Sequence, residues 1–501
     1  MIFRPTAQTF RVVGYYTGKV VTGLGFLALV PLAVGVLYQE WDPALNFVIG
    51  VMLSFIVGLG LQIAFYTQED LSWGEGLIVT AGAWLWATVL AAIPTFMSGH
   101  FGLFADAVFD VMSGFTTTGL TLIQDLDHVS VAQNMWRHIL TYAGGQGIVV
   151  IALTFLLKSS AGAFSMYKGE GRDDRILPSV VETAKAIWLV AGLYLVVGTA
   201  VLTAVNVSIG LPFEKSFWYG MWTFMGAWST GGFAPMSYNM LYYHSLALEI
   251  VTLVICIAGS MNFALHWAIW NGKRDELRRN IEIQAFTTTM LITIALAIVA
   301  LAQTGVYPEA LAMARKATYT IVSAHTGTGF STVLSQAYRT QWGPLAMMVV
   351  SVAMMLGASS GSTAGGIKAM RVGIFFKAVK GDLKRILMPT SAVIKEGYHH
   401  IHDYFLDDTT IKRVFIIILL FLFTYFLSGF VGMFYGYDFV DALFDGASAL
   451  STTGLSCGIT DPITMPVGLK MFYTVLMWAG RLEFLSIMVL AVHAYSIVRG
   501  R

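Results

Sequence analysis

Apolar residues in this chain fall into long unbroken runs, not into the alternating or narrow-stripe patterns of elements that are half exposed to water. A helix needs about 20 mainly apolar residues to cross a bilayer. Ten runs qualify, near 20–38, 45–66, 76–97, 131–157, 183–206, 243–270, 283–304, 343–376, 411–435 and 466–497. The pattern predicts an all-α polytopic membrane protein with about ten spanning helices. Short amphipathic or apolar stretches, too brief to span, lie between several of these runs.

Composition agrees, with 56% hydrophobic and 12% charged residues, where a soluble domain carries roughly 25% charged. A net charge of +1 offers nothing to nucleic acid, so none is expected as a partner. The placement of charge carries more information than its sum. Lys and Arg gather in 158–181, 271–280 and 377–413, including Lys273, Arg274, Arg278, Arg279, Lys384 and Arg385. The positive-inside rule puts these segments in the cytoplasm and, with an even number of spans, both termini there too. Segment 98–130, with Asp106, Asp110, Asp125 and Asp127, suits the outer face; the acidic 67–75, with Glu69 and Asp70, runs mildly against the pattern. Arg4, Arg11 and Lys19 precede a first run without a small-residue cleavage site, which reads as a retained helix. Cys256 and Cys457 sit in no metal-ligand or CxxC spacing.

Residues 104–121, FADAVFDVMSGFTTTGLT, align without gaps to 439–456, FVDALFDGASALSTTGLS, with 10 identities in 18 positions, against roughly one by chance. Two further segments share the ending, WSTGGF at 228–233 and HTGTGF at 325–330. Thr-Gly thus recurs as Thr118-Gly119, Thr230-Gly231, Thr328-Gly329 and Thr453-Gly454. One such pair is ordinary helix-packing sequence; four at matching places imply a unit of helix, half-helix, loop and helix. Irregular backbone in hydrocarbon costs several kcal/mol per unpaired group unless it lines a polar cavity. Four loops lining one cavity satisfy this, because glycine lets consecutive carbonyls turn the same way and replace the hydration shell of an alkali cation. Each half-helix would aim its negative C-terminal end at the ion.

The helices after the loops also correspond. Ala143-Gly144, Ala258-Gly259, Leu356-Gly357 and Ala479-Gly480 are followed by Gly145, Ser260, Ala358 and Arg481. An arginine at membrane depth is costly and faces either the pore or a partner charge, and Glu483 is the near candidate for the latter. The third unit differs, since 357–366, GASSGSTAGG, is a poor helix that breaks its last span where it can obstruct the conduit.

FTTTGLT, WSTGGFAP, GASSGSTAGGIKAMR and AGRLEF together resemble the Trk/Ktr/HKT superfamily of potassium transporters, over nearly the whole chain. The two spans before the first repeat are similar to the bacterial Trk-type membrane subunit. The resemblance implies potassium uptake across the cytoplasmic membrane, with potassium as substrate held at Gly119, Gly231, Gly329 and Gly454 beside their threonines. It implies a gate at Gly357, Gly361, Gly365 and Gly366, with Arg481 lining the pore below the filter. It also implies a homodimer in membrane lipid, regulated by cytosolic nucleotide-binding subunits, and no cofactor on this chain. Glycine in the first loop is the potassium-selective pattern; serine there accompanies sodium transport in some plant relatives. His325, Gly327 and Cys457 depart from fourfold regularity. The expected organisation is an extra helix pair at 1–75 and pore repeats at 76–181, 182–280, 281–410 and 411–501. The rival readings are a potassium-binding subunit of a Kdp-type pump and a membrane-embedded enzyme. For the latter the candidate groups His244, His266, Glu249 and Asp441 are scattered, and no HExxH, GxSxG or P-loop pattern is present.

Overall fold

A computed structural model of the chain describes residues 6–148, 150, 161–170, 179–389 and 396–499. The end of the predicted 131–157 span, and parts of the basic segments 158–181 and 377–413, lie outside the described residues. Six of the predicted runs form continuous helices long and apolar enough to cross a membrane: Ala7–Leu37, Trp41–Ala64, Trp73–Met97, Val180–Ser208, Ile281–Thr304 and Asp408–Phe434. Two of them start on a full capping box. Thr6 accepts from the Thr9 amide and Ser72 from the Glu75 amide, each within a capping box that satisfies first-turn N–H groups. Much of their apolar surface stays uncovered, with Ile63 79%, Val196 68% and Phe423 68% exposed. That is the surface a helix offers to lipid, not to water. The first two helices approach closely, because a methyl on Gly58 would lie 2.5 Å from Thr22 Oγ1 and one on Gly18 would lie 2.7 Å from the Gly58 carbonyl.

The other four runs are all interrupted, not the third alone. Val131–Gln146 ends at Gly147, whose φ is 98°. Leu246–Gly259 and Phe263–Trp270 meet at 98°, and Val467–Arg481 and Leu485–Val498 at 115°. Gly343–Met355 and Ala369–Leu387 are separated by the irregular residues 356–368. Three of the breaks share a setting. Gly144, Gly259 and Gly480 press against the carbonyls of Phe115, Trp228 and Leu450, the last residues of three short helices, so closely that a methyl has no room. These short helices are Phe104–Phe115, Phe213–Trp228 and Phe439–Leu450, and Ala310–His325 is the fourth. A small hairpin of strands Gly397–His400 and His402–Phe405 pairs His400 with His402 at its tip.

Buried carboxylates mark the seams where elements distant in sequence meet. Asp106 of one short helix meets Lys470 Nζ at 2.8 Å, Arg339 Nε meets Asp441 at 3.0 Å, and Arg315 grips Glu249 with bonds of 2.7 and 2.9 Å. Asp106 and Asp110 are therefore buried structural groups and not part of an acidic outer surface. At the fourth seam His138 stacks on Trp222.

Candidate functional site

Four loops follow the four short helices, and each closes with the same backbone hydrogen bond. Thr118 N donates to Ser113 O at 2.8 Å, Gly231 N to Gly226 O at 2.8 Å, Thr328 N to Ser323 O at 2.9 Å and Thr453 N to Ser448 O at 2.9 Å. The residue before each donor has positive φ: Thr117 58°, Thr230 51°, Gly327 73° and Thr452 54°. So does the residue after it: Gly119 89°, Gly232 63°, Gly329 77° and Gly454 98°. In the second loop the partner of Gly119 is thus Gly232, and Gly231 takes the place of Thr118. Matching by the Thr-Gly pair misplaces this loop by one residue. Gly231 is glycine for want of space, since a methyl there would strike Thr141 Oγ1.

The loops close on one another in a ring. A methyl on Gly119 would meet the Gly231 carbonyl, on Gly232 the Thr328 carbonyl, on Gly329 the Thr453 carbonyl and on Gly454 the Thr118 carbonyl. Four carbonyls at matching positions, each beside the preceding loop's left-handed glycine, define the candidate site. Three threonines in the left-handed region cost roughly 1–3 kcal/mol each, strain that persists only where surroundings over-determine it. The third loop avoids that cost with Gly327, which explains its departure from the pattern. A cavity of about 190 Å³ opens on one side of the ring, lined by Gly119, Gly232, Gly329, Gly454, Arg137 and Tyr238 among others.

Two aspartates fix the returning chain, one expected at the outer face and one to which the sequence assigned no role. Asp110 Oδ1 accepts from Thr121 Oγ1 at 2.6 Å, with Arg137 Nε 3.7 Å from the other oxygen. Asp445 accepts from Cys457 N at 2.7 Å, Ser456 Oγ at 2.7 Å, and Thr460 N and Oγ1 at 3.0 Å. The signal was present: both aspartates fall among the identities of the duplicated segment. Cys457 is a free, buried thiol within this brace. His325 turns from the ring toward Thr289, 2.8 Å from its hydroxyl.

On the face away from the cavity, residues 356–368 cross directly beneath the ring and touch all four loops. Thr117 Oγ1 donates to Thr363 O at 3.3 Å, and the Thr230 and Thr363 hydroxyls are 2.9 Å apart. A methyl on Gly327 would touch Ala364, and one on Gly365 would strike Thr452 Oγ1. Arg481, 6% exposed, donates to Thr363 O, to Gly144 O at 2.8 Å and to Gly145 O at 3.2 Å. Glu483 meets Arg371, with Lys368 Nζ at 3.8 Å. Of the predicted gate residues, Gly361 and Gly366 have positive φ, 66° and 72°, while Gly357 packs against Gly365 and Gly366.

The scattered ionisable groups do not converge. Glu249 and Asp441 are spent in seam ion pairs, His266 lies 2.9 Å from Ala258 O among Tyr194 and Trp228, and His244 follows a single turn of 3₁₀-helix. Among the described residues, no group of three or more His, Cys, Asp or Glu is arranged to hold a metal ion.

The sequence profile described as TrkH, cation transport protein, matches residues 43–496. An uncharacterized cation transporter of Methanocaldococcus jannaschii is 30% identical over 494 residues, covering 99% of this chain and 98% of that protein. The Trk system potassium uptake protein TrkG of Escherichia coli is 27% identical over 497 residues, with 96% and 97% covered. The crystal structure of the potassium transporter TrkH from Vibrio parahaemolyticus matches with a TM-score of 0.79 at 22% identity, covering 96% of this chain and 98% of that one. That last likeness speaks for the fold. With the profile spanning nearly the whole chain and a relative at 30% identity matched end to end, this chain belongs to the TrkH family of cation transport proteins.

Proposed function

We propose that the chain takes up potassium across the cytoplasmic membrane through the centre of the four-loop ring, and that 357–366 is its gate. The observation that carries this reading is the cyclic contact of four loops with one backbone pattern, which stacks carbonyls of equal rank around an axis. Carbonyl rings substitute for the hydration shell of a bare cation, and four short helices ending at the ring add their negative ends. Relatives named as potassium uptake proteins support potassium as the substrate. Filter carbonyls then come from Thr118-Gly119, Gly231-Gly232, Thr328-Gly329 and Thr453-Gly454, with Thr230 one level lower. Contact of Thr363, Ala364 and Gly365 with all four loops supports a closed gate, and Arg481 supports a positive charge beneath the filter. Cytoplasmic termini follow from the Lys and Arg distribution. A homodimer and cytosolic nucleotide-binding subunits complete the reading, and relatives named as parts of a Trk system support a partner.

The test is Gly119→Ser, with Gly232→Ser beside it. Each should weaken rubidium uptake relative to sodium uptake in proteoliposomes by about tenfold or more while the protein still purifies. Unchanged discrimination in both would refute the assignment.

A further inference from the structure

The crossing segment 356–368 is tied down from two directions, and the second tie leads out of the membrane. Ser360 N donates to Glu282 Oε1 at 2.7 Å. Glu282 lies in the first turn of Ile281–Thr304 and is 1% exposed. A carboxylate that deep is expensive unless it is hydrogen-bonded and paired. Its other oxygen faces His400 Nδ1 at 3.7 Å, and the same nitrogen lies 3.3 Å from Asn280 Oδ1. Asn280 in turn accepts from Glu282 N at 3.0 Å, capping the helix. His400 ends one strand of the hairpin, which is docked by its neighbours: His399 Nε2 is 3.1 Å from Glu276 and Lys377 Nζ is 2.6 Å from Gly397 O. The second strand, His402–Phe405, is exposed throughout, with Phe405 75% exposed. One line of contacts thus runs from an exposed strand through His400 and Glu282 to the backbone under the ring.

We propose that Glu282 is the latch that holds 356–368 beneath the ring, and that the hairpin 397–405 is the handle through which a contact outside the membrane releases it. This rests on reading 357–366 as the gate. A hairpin displaced from 276–282 takes His400 with it; the buried carboxylate then loses this contact, turns toward water and lets go of the Ser360 amide. Glu282 acts through the Ser360 amide, so it is a positioning residue.

Rubidium flux into proteoliposomes holding the full chain alone tests this. Glu282→Ala and His400→Ala should each raise flux by about tenfold, a factor equivalent to about 1.4 kcal/mol in the closed-to-open ratio. Glu282→Gln, whose amide oxygen still accepts from Ser360 N, should stay within about twofold of the parent. Ser362→Cys, at a buried position two residues beyond Ser360, should react faster with a small thiol reagent in the Glu282→Ala background than in the Glu282→Gln background. A chain shortened by two residues within 361–365 is the control for the gate itself. If it conducts faster while Glu282→Ala and His400→Ala do not, the latch is wrong and the gate stands; if none of the three changes flux, the gate reading fails. Equal loss of flux in the Ala and Gln variants, with lower melting temperatures, would reduce Glu282 to a structural residue and overturn the proposal.

Discussion

Replacing Arg481 by alanine removes together two effects that the proposed gate places on one side chain. Its guanidinium bridges the crossing segment, through Thr363 O, to the broken helix of the first unit, through Gly144 O and Gly145 O. Only the first of these bonds ties the proposed gate to the rest of the fold. A hydrogen bond from a charged donor contributes about 1.5–3 kcal/mol, so its loss should shift the closed-to-open ratio by about 10- to 100-fold. The charge adds a separate barrier, roughly 2–4 kcal/mol for an ion passing within about 5–8 Å at an effective dielectric near 20. Both effects act in the same direction, and partner-free rubidium flux in proteoliposomes should rise at least about tenfold. Arg481→Lys keeps the charge and loses the fork, so its flux should fall between parent and alanine variant. The melting temperature should drop modestly in both, because two carbonyls of the first unit lose their donor. Lower flux in Arg481→Ala, together with a lower melting temperature, would refute the reasoning and make Arg481 a structural tie.

Two further outcomes follow from the buried carboxylates. Asp445→Asn leaves one oxygen to serve four donors, so stability should fall by about 2–4 kcal/mol; sodium discrimination should weaken with it, read by thermal melting and competitive uptake. Lys470→Ala strands Asp106 in the seam and should cost about 3–5 kcal/mol, whereas Lys470→Met with Asp106→Leu should cost less than either single change; a double-mutant cycle in detergent measures the coupling, and strict additivity would contradict the pairing.

Much of this molecule is written locally. Length and apolarity determine the six continuous helices, because a spanning helix satisfies its own backbone and needs only lipid around it. The duplicated segment likewise declares its loops, since the turn after each short helix is set by residues within a hexamer. The aspartates that brace two of those loops were legible in the same alignment. What the sequence left open depended on neighbours far along the chain. With two adjacent glycines in WSTGGF, identity alone selects Gly231, and only Thr141 pressing on that position and the Thr328 carbonyl beside Gly232 settle the register. The breaks after Gly259 and Arg481 pass through Ser260-Met261-Asn262 and Leu482-Glu483-Phe484, which carry neither proline nor glycine. Those helices bend where they meet the ends of the short helices. Arg481 read as a pore charge or as the partner of Glu483, two residues further on; in the fold, Glu483 goes to Arg371 and Arg481 reaches carbonyls 118, 336 and 337 residues distant in sequence. Periodicity reports which face a residue occupies, but a buried charge takes its partner from whichever segment the packing brings within reach, and that choice belongs to the tertiary structure.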